Sequence, residues 1–434
     1  MEEKQHKQAI FGWTMYDWAN SVFATTIMAA VLPVYYSSVA VNRPDQPELA
    51  TAYWAYTTTI ALLLVSLLGP ILGTMADFVG GKKRFLSLFV VIGAIGTALL
   101  YFVGPGDWML ASGFFIIGSI GFSGSLVFYD SLLPHVARSD EMDKVSSRGY
   151  AMGYLGGGLL LAVNLAMIML APDELTQLMT RISFLTVAAW WMVFTIPLWK
   201  FVKEPKRSLM EGEQGHENPV AAAIRRLGQT FTSIRQYKEL LKFILAFWLY
   251  NNGIGTIIYM ASIYGAELKF GQTTIIGTLL MVQFVAIPFA LLFGWMGGKF
   301  GTKKSILISL GIYTCIAIGG YFMQQEMHFW LLGFAVAMVQ GGSQALSRSL
   351  FGRMMPKSKS AEFYSFFAVS EKIAGTVGPL VFGLATQIFG GGRMGIISLV
   401  IFFILGGLLL TRVDEKAGIA VAEAEEARLA GEKA

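Results

Sequence analysis

The segment Gly73-Thr74-Met75-Ala76-Asp77-Phe78-Val79-Gly80-Gly81-Lys82-Lys83 has an altered second copy, Gly294-Trp295-Met296-Gly297-Gly298-Lys299-Phe300-Gly301-Thr302-Lys303-Lys304. Each copy sits between two long apolar runs, and the rest of the chain is organised around that pair. A helix needs roughly 20 apolar residues to cross the hydrocarbon core of a bilayer. By that measure the chain carries twelve spans, at 10–36, 52–78, 85–103, 108–136, 149–170, 182–202, 240–268, 273–298, 305–322, 329–350, 362–389 and 394–410. The first copy follows span two and the second follows span eight. The runs are long and continuous rather than short and alternating, which excludes barrel strands.

Two further matches keep the same order. Tyr16-Asp17 in span one corresponds to Tyr250-Asn251 in span seven, and Ser131-Leu132 in span four to Ser349-Leu350 in span ten. The expected fold is therefore an all-α polytopic membrane protein of two parallel six-helix repeats. Its expected divisions are a first bundle over 1–202, a linker with an interfacial helix over 203–239, a second bundle over 240–411, and a polar tail over 412–434. The linker stretch EPKRSLMEGEQGHENP reads as flexible, with a basic helical segment after it around Arg225, Arg226 and Arg235. The tail reads as a mobile helix or coil.

Composition agrees. Of 434 residues, 55% are hydrophobic and 14% charged, against about 25% charged in soluble proteins. The net charge of +5 does not signal nucleic acid. Its lysines and arginines fall in alternate loops (Lys82-Lys83-Arg84; Arg138 and Lys144; Lys299, Lys303 and Lys304; Arg353, Lys357 and Lys359), which under the positive-inside rule places those loops and both termini in the cytoplasm. The N-terminus shows no cleavable signal pattern, so the first run is expected to remain as a helix.

Cys315 is the single cysteine, and His6, His135, His216 and His328 are scattered. Neither set has disulfide, metal-site or iron–sulfur spacing. No GxSxG or Walker motif is present, so no enzyme and no cofactor are expected, and transport energy must come from a gradient.

The GxxxDxxGxKK loop resembles the signature of the major facilitator superfamily. In it, Gly73 and Gly80, with Gly294 and Gly301 in the second copy, permit close approach and a tight turn. Asp77 is expected at a helix end or near basic groups, and Lys82, Lys83, Lys303 and Lys304 in the headgroups. A narrower resemblance is carried by Tyr16-Asp17-Trp18-Ala19-Asn20-Ser21-Val22-Phe23-Ala24-Thr25-Thr26. It extends through Tyr129-Asp130-Ser131-Leu132-Leu133-Pro134 and through Ser147-Arg148-Gly149-Tyr150-Ala151-Met152-Gly153-Tyr154-Leu155-Gly156-Gly157. These look like the vacuole-effluxer-like branch, though that pattern has asparagine where this chain has Asp130. The resemblance implies a secondary transporter working by alternating access and, for fungal vacuolar members, amino-acid efflux. The chain lacks long extra loops and looks like a compact bacterial member of the inner membrane, by default a monomer.

Charges inside the spans are the guide to a site, since each costs about 2.5–3.5 kcal/mol on insertion scales. Asp17 and Asn20 share a face of span one beside Tyr16, and are read as substrate contacts or, for Asp17, a proton carrier, against a structural bond to a neighbouring helix. Tyr250, Asn251, Asn252 and Thr256 form the corresponding cluster of span seven, read as cavity lining or interhelical bonding. Gln340, Gln344 and Arg348 recur every four residues as a polar stripe on span ten. Arg348 has three candidate partners: Glu371, a substrate carboxylate, or Asp130, its equivalent in the repeat. Pairing with Asp130 forms an inner gate, the alternative being local pairs within each half. Glu371 is a second proton-carrier candidate, and Asp77, Arg148 and Lys372 complete the gating candidates.

The function these residues support is movement of a small polar or zwitterionic organic solute, an amino acid being one example, with protons as coupling partner. The 21 methionines and 10 tryptophans suit an exporter of larger amphipathic compounds as the alternative, and a non-transporting membrane sensor is the third.

Overall fold

The computed structural model describes residues 2–41, 47–205, 217–389 and 391–431, which are helical apart from short connections. Span one runs Glu2–Val41, span two Pro47–Val79, span three Lys82–Leu99, span four Trp108–Val136, span five Met142–Met169 and span six Asp173–Phe201. Span seven is Lys238–Glu267, span eight Gln272–Phe300, span nine Thr302–Tyr321, span ten Glu326–Arg353 and span eleven Ser360–Phe389. Span twelve is broken into Gly392–Ser398 and Val400–Thr411. Among the described residues, eleven of these helices are long and apolar enough to cross a bilayer. Among the described residues, span eleven adds the apolar stretch Val377–Phe389.

Each six-helix set buries its own aromatic-rich core, one around Trp13, Phe23, Tyr129 and Trp191, the other around Tyr250, Tyr313, Phe351 and Phe367. Large apolar residues such as Leu63, Leu67, Leu245 and Ile401 stand exposed on the outer faces, where lipid covers them. The sets join where span five packs on span eight and span two on span eleven. These are equivalent pairs in the repeat.

Span one leaves regular α geometry at Phe23–Ala30, which is π-helical. There Thr25 donates to the carbonyls of Ser21 and Gly157 at 3.2 Å, so the extra residue per turn is tied to span five.

Two expectations change outside the spans. Residues 206–216 of the linker, and the Arg235 side chain, lie outside the described residues. The linker helix Pro219–Ser233 packs against span two with Arg226 fully buried over the Phe78 ring at 5.3 Å, so it is docked on protein. The tail is a docked helix, Glu415–Gly431. Glu415 pairs with Arg353 at 3.3 Å and Glu425 with Lys359 at 3.2 Å, while Glu426 accepts from the Ser358 N–H and hydroxyl at 3.0 Å. Its carboxylates have cations and free N–H groups to meet, which a sequence read residue by residue does not reveal.

Candidate functional site

Arg348 is the centre of the polar interior. It comes from span ten, is 3% exposed, and reaches across to the first half. Its guanidinium lies 3.1 Å from Asp130 of span four and 3.3 Å from Asp17 of span one. It also donates from Nε to the Ser146 hydroxyl at 3.0 Å and from Nη2 to the Ser146 carbonyl at 2.9 Å. Tyr129 donates its hydroxyl to the same Asp17 oxygen at 2.7 Å. Three rings surround the cation, those of Trp13, Tyr129 and Tyr150, at 4.9, 5.4 and 4.5 Å. A guanidinium removed from water needs carboxylates, donor satisfaction and aromatic faces together to offset its desolvation. All three are present.

The helices approach this closely because span five has Gly149 at the contact. A Cβ there would collide with Asp17 Oδ2 and lie 3.1 Å from Arg348 Nη2.

The motif loops sit at the same end of the bundle, the basic end. Gly80 and Gly301 have φ of +71° and +95°, a region that only glycine enters without strain. Asp77 pairs with Lys82 at 2.8 Å and accepts the Glu362 N–H at 2.8 Å. It thereby satisfies an otherwise free donor in the first turn of span eleven. Lys82 donates to Ser360 at 2.6 Å and touches His135 at 3.1 Å. Lys82 and Lys83 thus do not extend into headgroups. Lys82 is 4% exposed, and Lys83 donates to the carbonyls of Trp199 and Val202 at the end of span six. Lys303 does the same for Thr411 and Val413 at the end of span twelve, whereas Lys304 is exposed. A lysine next to uncapped helix carbonyls gains more from them than from solvent.

A family model described as vacuole effluxer Atg22 like matches residues 5–423. The chain belongs to that family. An uncharacterised MFS-type transporter of Bacillus subtilis (strain 168), YxiO, is 37% identical over 415 residues, covering 95% of this chain and 96% of its relative. Autophagy-related protein 22 of Coccidioides immitis (strain RS) is 25% identical over 529 residues, covering 94% and 87%. Among solved structures, the proton:xylose symporter XylE superposes with a TM-score of 0.76 at 14% identity, over 98% of this chain and 99% of that one. The Atg22-like chain is thus a multi-pass membrane protein with the twelve-helix major facilitator fold. Its relatives are transporters, not enzymes.

Within this Atg22-like fold the other sequence candidates scatter. Tyr16 is buried and its hydroxyl accepts from Trp191 at 3.4 Å; Asn20 is 2% exposed, with its amide nitrogen unpartnered. Tyr250 shares a hydrogen bond with Ser347 at 2.5 Å. Asn252 accepts the Gly378 N–H of span eleven at 2.8 Å and Thr256 donates to the Asn252 carbonyl at 2.6 Å. Asn251 is buried, and Gln340, Gln344 and Glu371 are half-buried. Arg148 is exposed, and the Lys372 side chain lies outside the described residues. Sequence reading missed Trp13, Ser146 and Tyr150 around Arg348. Trp13 lies four residues before Asp17 and so on the same helix face, a signal that was available.

Proposed function

We propose that this Atg22-like chain is a proton-coupled secondary carrier for a small polar or zwitterionic organic solute such as an amino acid, with Arg348, Asp130 and Asp17 as its inner gate. The observation that carries the reading is one buried guanidinium held by carboxylates of the opposite half. A bond between halves at one end must break for that end to open. The positive-inside rule makes the basic end cytoplasmic, so this geometry is the outward-facing state of a protein in a bacterial cytoplasmic membrane, working as a monomer.

Two carboxylates facing one guanidinium leave one negative charge over, which one proton removes. Proton uptake at Asp17 weakens its hold on Arg348 and favours opening to the cytoplasm. Arg348, once freed, matches the carboxylate of a zwitterion. Glu371 of span eleven is the alternative proton site.

Counterflow of radiolabelled amino acids in proteoliposomes tests the substrate class. In that assay Asp130→Arg and Arg348→Asp each abolish flux, and the double exchange restores at least a tenth of it. Absence of rescue in a well-folded double variant removes the gate. Asp17→Asn is expected to abolish pH-driven accumulation while leaving exchange; intact accumulation excludes Asp17 as the carrier.

A further inference from the structure

The second motif copy lacks the acid of the first, with Gly298 standing where Asp77 does. We propose that Asp143, at the start of span five in the opposite half, supplies the missing charge and is a second gating residue. It locks the basic end by a route separate from Arg348. The inference rests on the alternating-access reading above.

The internal repeat locates the exchange. A Cβ at Gly73 would meet the Ala361 carbonyl and lie 3.0 Å from Ser365 Cβ of span eleven. At the equivalent Gly294 it would lie 3.2 Å from the Asp143 carbonyl and 2.7 Å from Ser147 Cβ of span five. Asp143 and Ser147 therefore occupy the places of Ala361 and Ser365, at the same sequence offset that relates Asp130 to Arg348. In one interface the acid stands on the motif helix and reaches the span that packs on it. In the other the motif helix is glycine and the packed span brings the acid. The charge has crossed the interface.

The setting around Asp143 is drawn wholly from the second half. Thr302, first residue of span nine, donates to Oδ2 at 2.7 Å, and Ser349 donates to Oδ1. Arg353 pairs with the carboxylate at 3.4 Å. Gly297 leaves the room, since a Cβ there would lie 2.8 Å from Oδ2. The carboxylate is also at the N-terminal end of span nine, where the helix dipole favours an anion. Asp143 is 3% exposed. Opening the basic end strips it of these partners at once and leaves a carboxylate to be hydrated. Arg353 keeps Glu415 at 3.3 Å, so the cation is not stranded when the acid departs. That asymmetry lets the pair open and reclose.

The test uses the full chain with Cys315→Ser and a reporter, Ala345→Cys, at a position that is fully buried between the halves. Labelling by an impermeant maleimide from the basic side reports opening of that end and needs no known substrate. Asp143→Asn is expected to raise the labelling rate at least tenfold. Adding Arg353→Gln to it should change little further, because both belong to one interaction. Unchanged labelling in a folded Asp143→Asn protein overturns the proposal. So does full additivity of the two substitutions. If Asp143→Asn does not fold, Thr302→Ala with Ser349→Ala removes two of its donors and carries the same expectation. Asp130→Asn is the control: a response there with none at Asp143 rejects this inference alone, whereas silence at both rejects the alternating-access reading beneath it.

Discussion

At Gly149 two opposing effects of a single methyl group can be weighed. Glycine inside a helix is worse than alanine by about 1 kcal/mol, so Gly149→Ala in an unconstrained helix stabilises. Here the added Cβ would collide with Asp17 Oδ2 and press on Arg348 and the Trp13 ring. Overpacking of that kind costs about 1–3 kcal/mol, and the neighbour that must yield is an ion pair rather than a flexible chain end. The steric effect wins, and the expected result is a melting temperature several degrees lower in detergent, with faster labelling of Ala345→Cys. A melting temperature above wild type would show that Asp17 moves aside freely. The same site shows which residues could be read in advance. Asp17, Asp130 and Arg348 stand out because charge is costly in lipid and therefore rare there. Tyr150 does not, because aromatic residues are abundant throughout the chain, and Trp13 is marked only by its place one helical turn before Asp17.

A helix in lipid is apolar on every side, so its inward face leaves little trace in the sequence. The existence of all twelve spans was legible from run length, and the repeat paired Tyr16 of span one with Tyr250 of span seven. Tyr16 and Tyr250 are both buried, at 0% and 1% exposure. What the pattern could not fix was direction. Asn252 serves span eleven, where its side-chain oxygen holds the Gly378 N–H beside Pro379, at a point where proline interrupts the regular ladder. Replacing Asn252 by leucine removes that acceptor and leaves a buried donor to find another. The expected cost is about 1–3 kcal/mol, seen as lower thermal stability, with no change in which solutes stabilise the protein. A changed ligand profile would instead make Asn252 part of the cavity wall. Asp143 escaped reading for a related reason: it sits before the apolar run of span five, in a loop-like stretch where an aspartate looks ordinary.

At the basic end of the molecule stand three ionic groups: Arg348 of span ten with Asp17 and Asp130 of spans one and four, Asp143 of span five with Arg353 of span ten, and Asp77 of span two with Lys82 of span three. The tail helix grips the last two from outside. Glu415 holds Arg353, and Glu425 and Glu426 hold the turn that leads into Ser360, the residue Lys82 bonds. Burial pushes the Glu415 carboxyl above its ordinary value, with Arg353 opposing the rise. In ion pairs this shielded from water the attraction is largely offset by desolvation, so the tail's carboxylates add little to overall stability. The tail acts on the same residues that join the halves, however, and small energies suffice to bias two states that lie close in free energy. A chain ended after Val413 is therefore expected to melt within a few degrees of the full protein. At the same time it should label severalfold faster at Ala345→Cys from the basic side. Glu415→Gln with Glu425→Gln should reproduce that acceleration with the helix still present. Acceleration in the truncated chain alone would mean that the tail acts by covering the surface rather than through its charges.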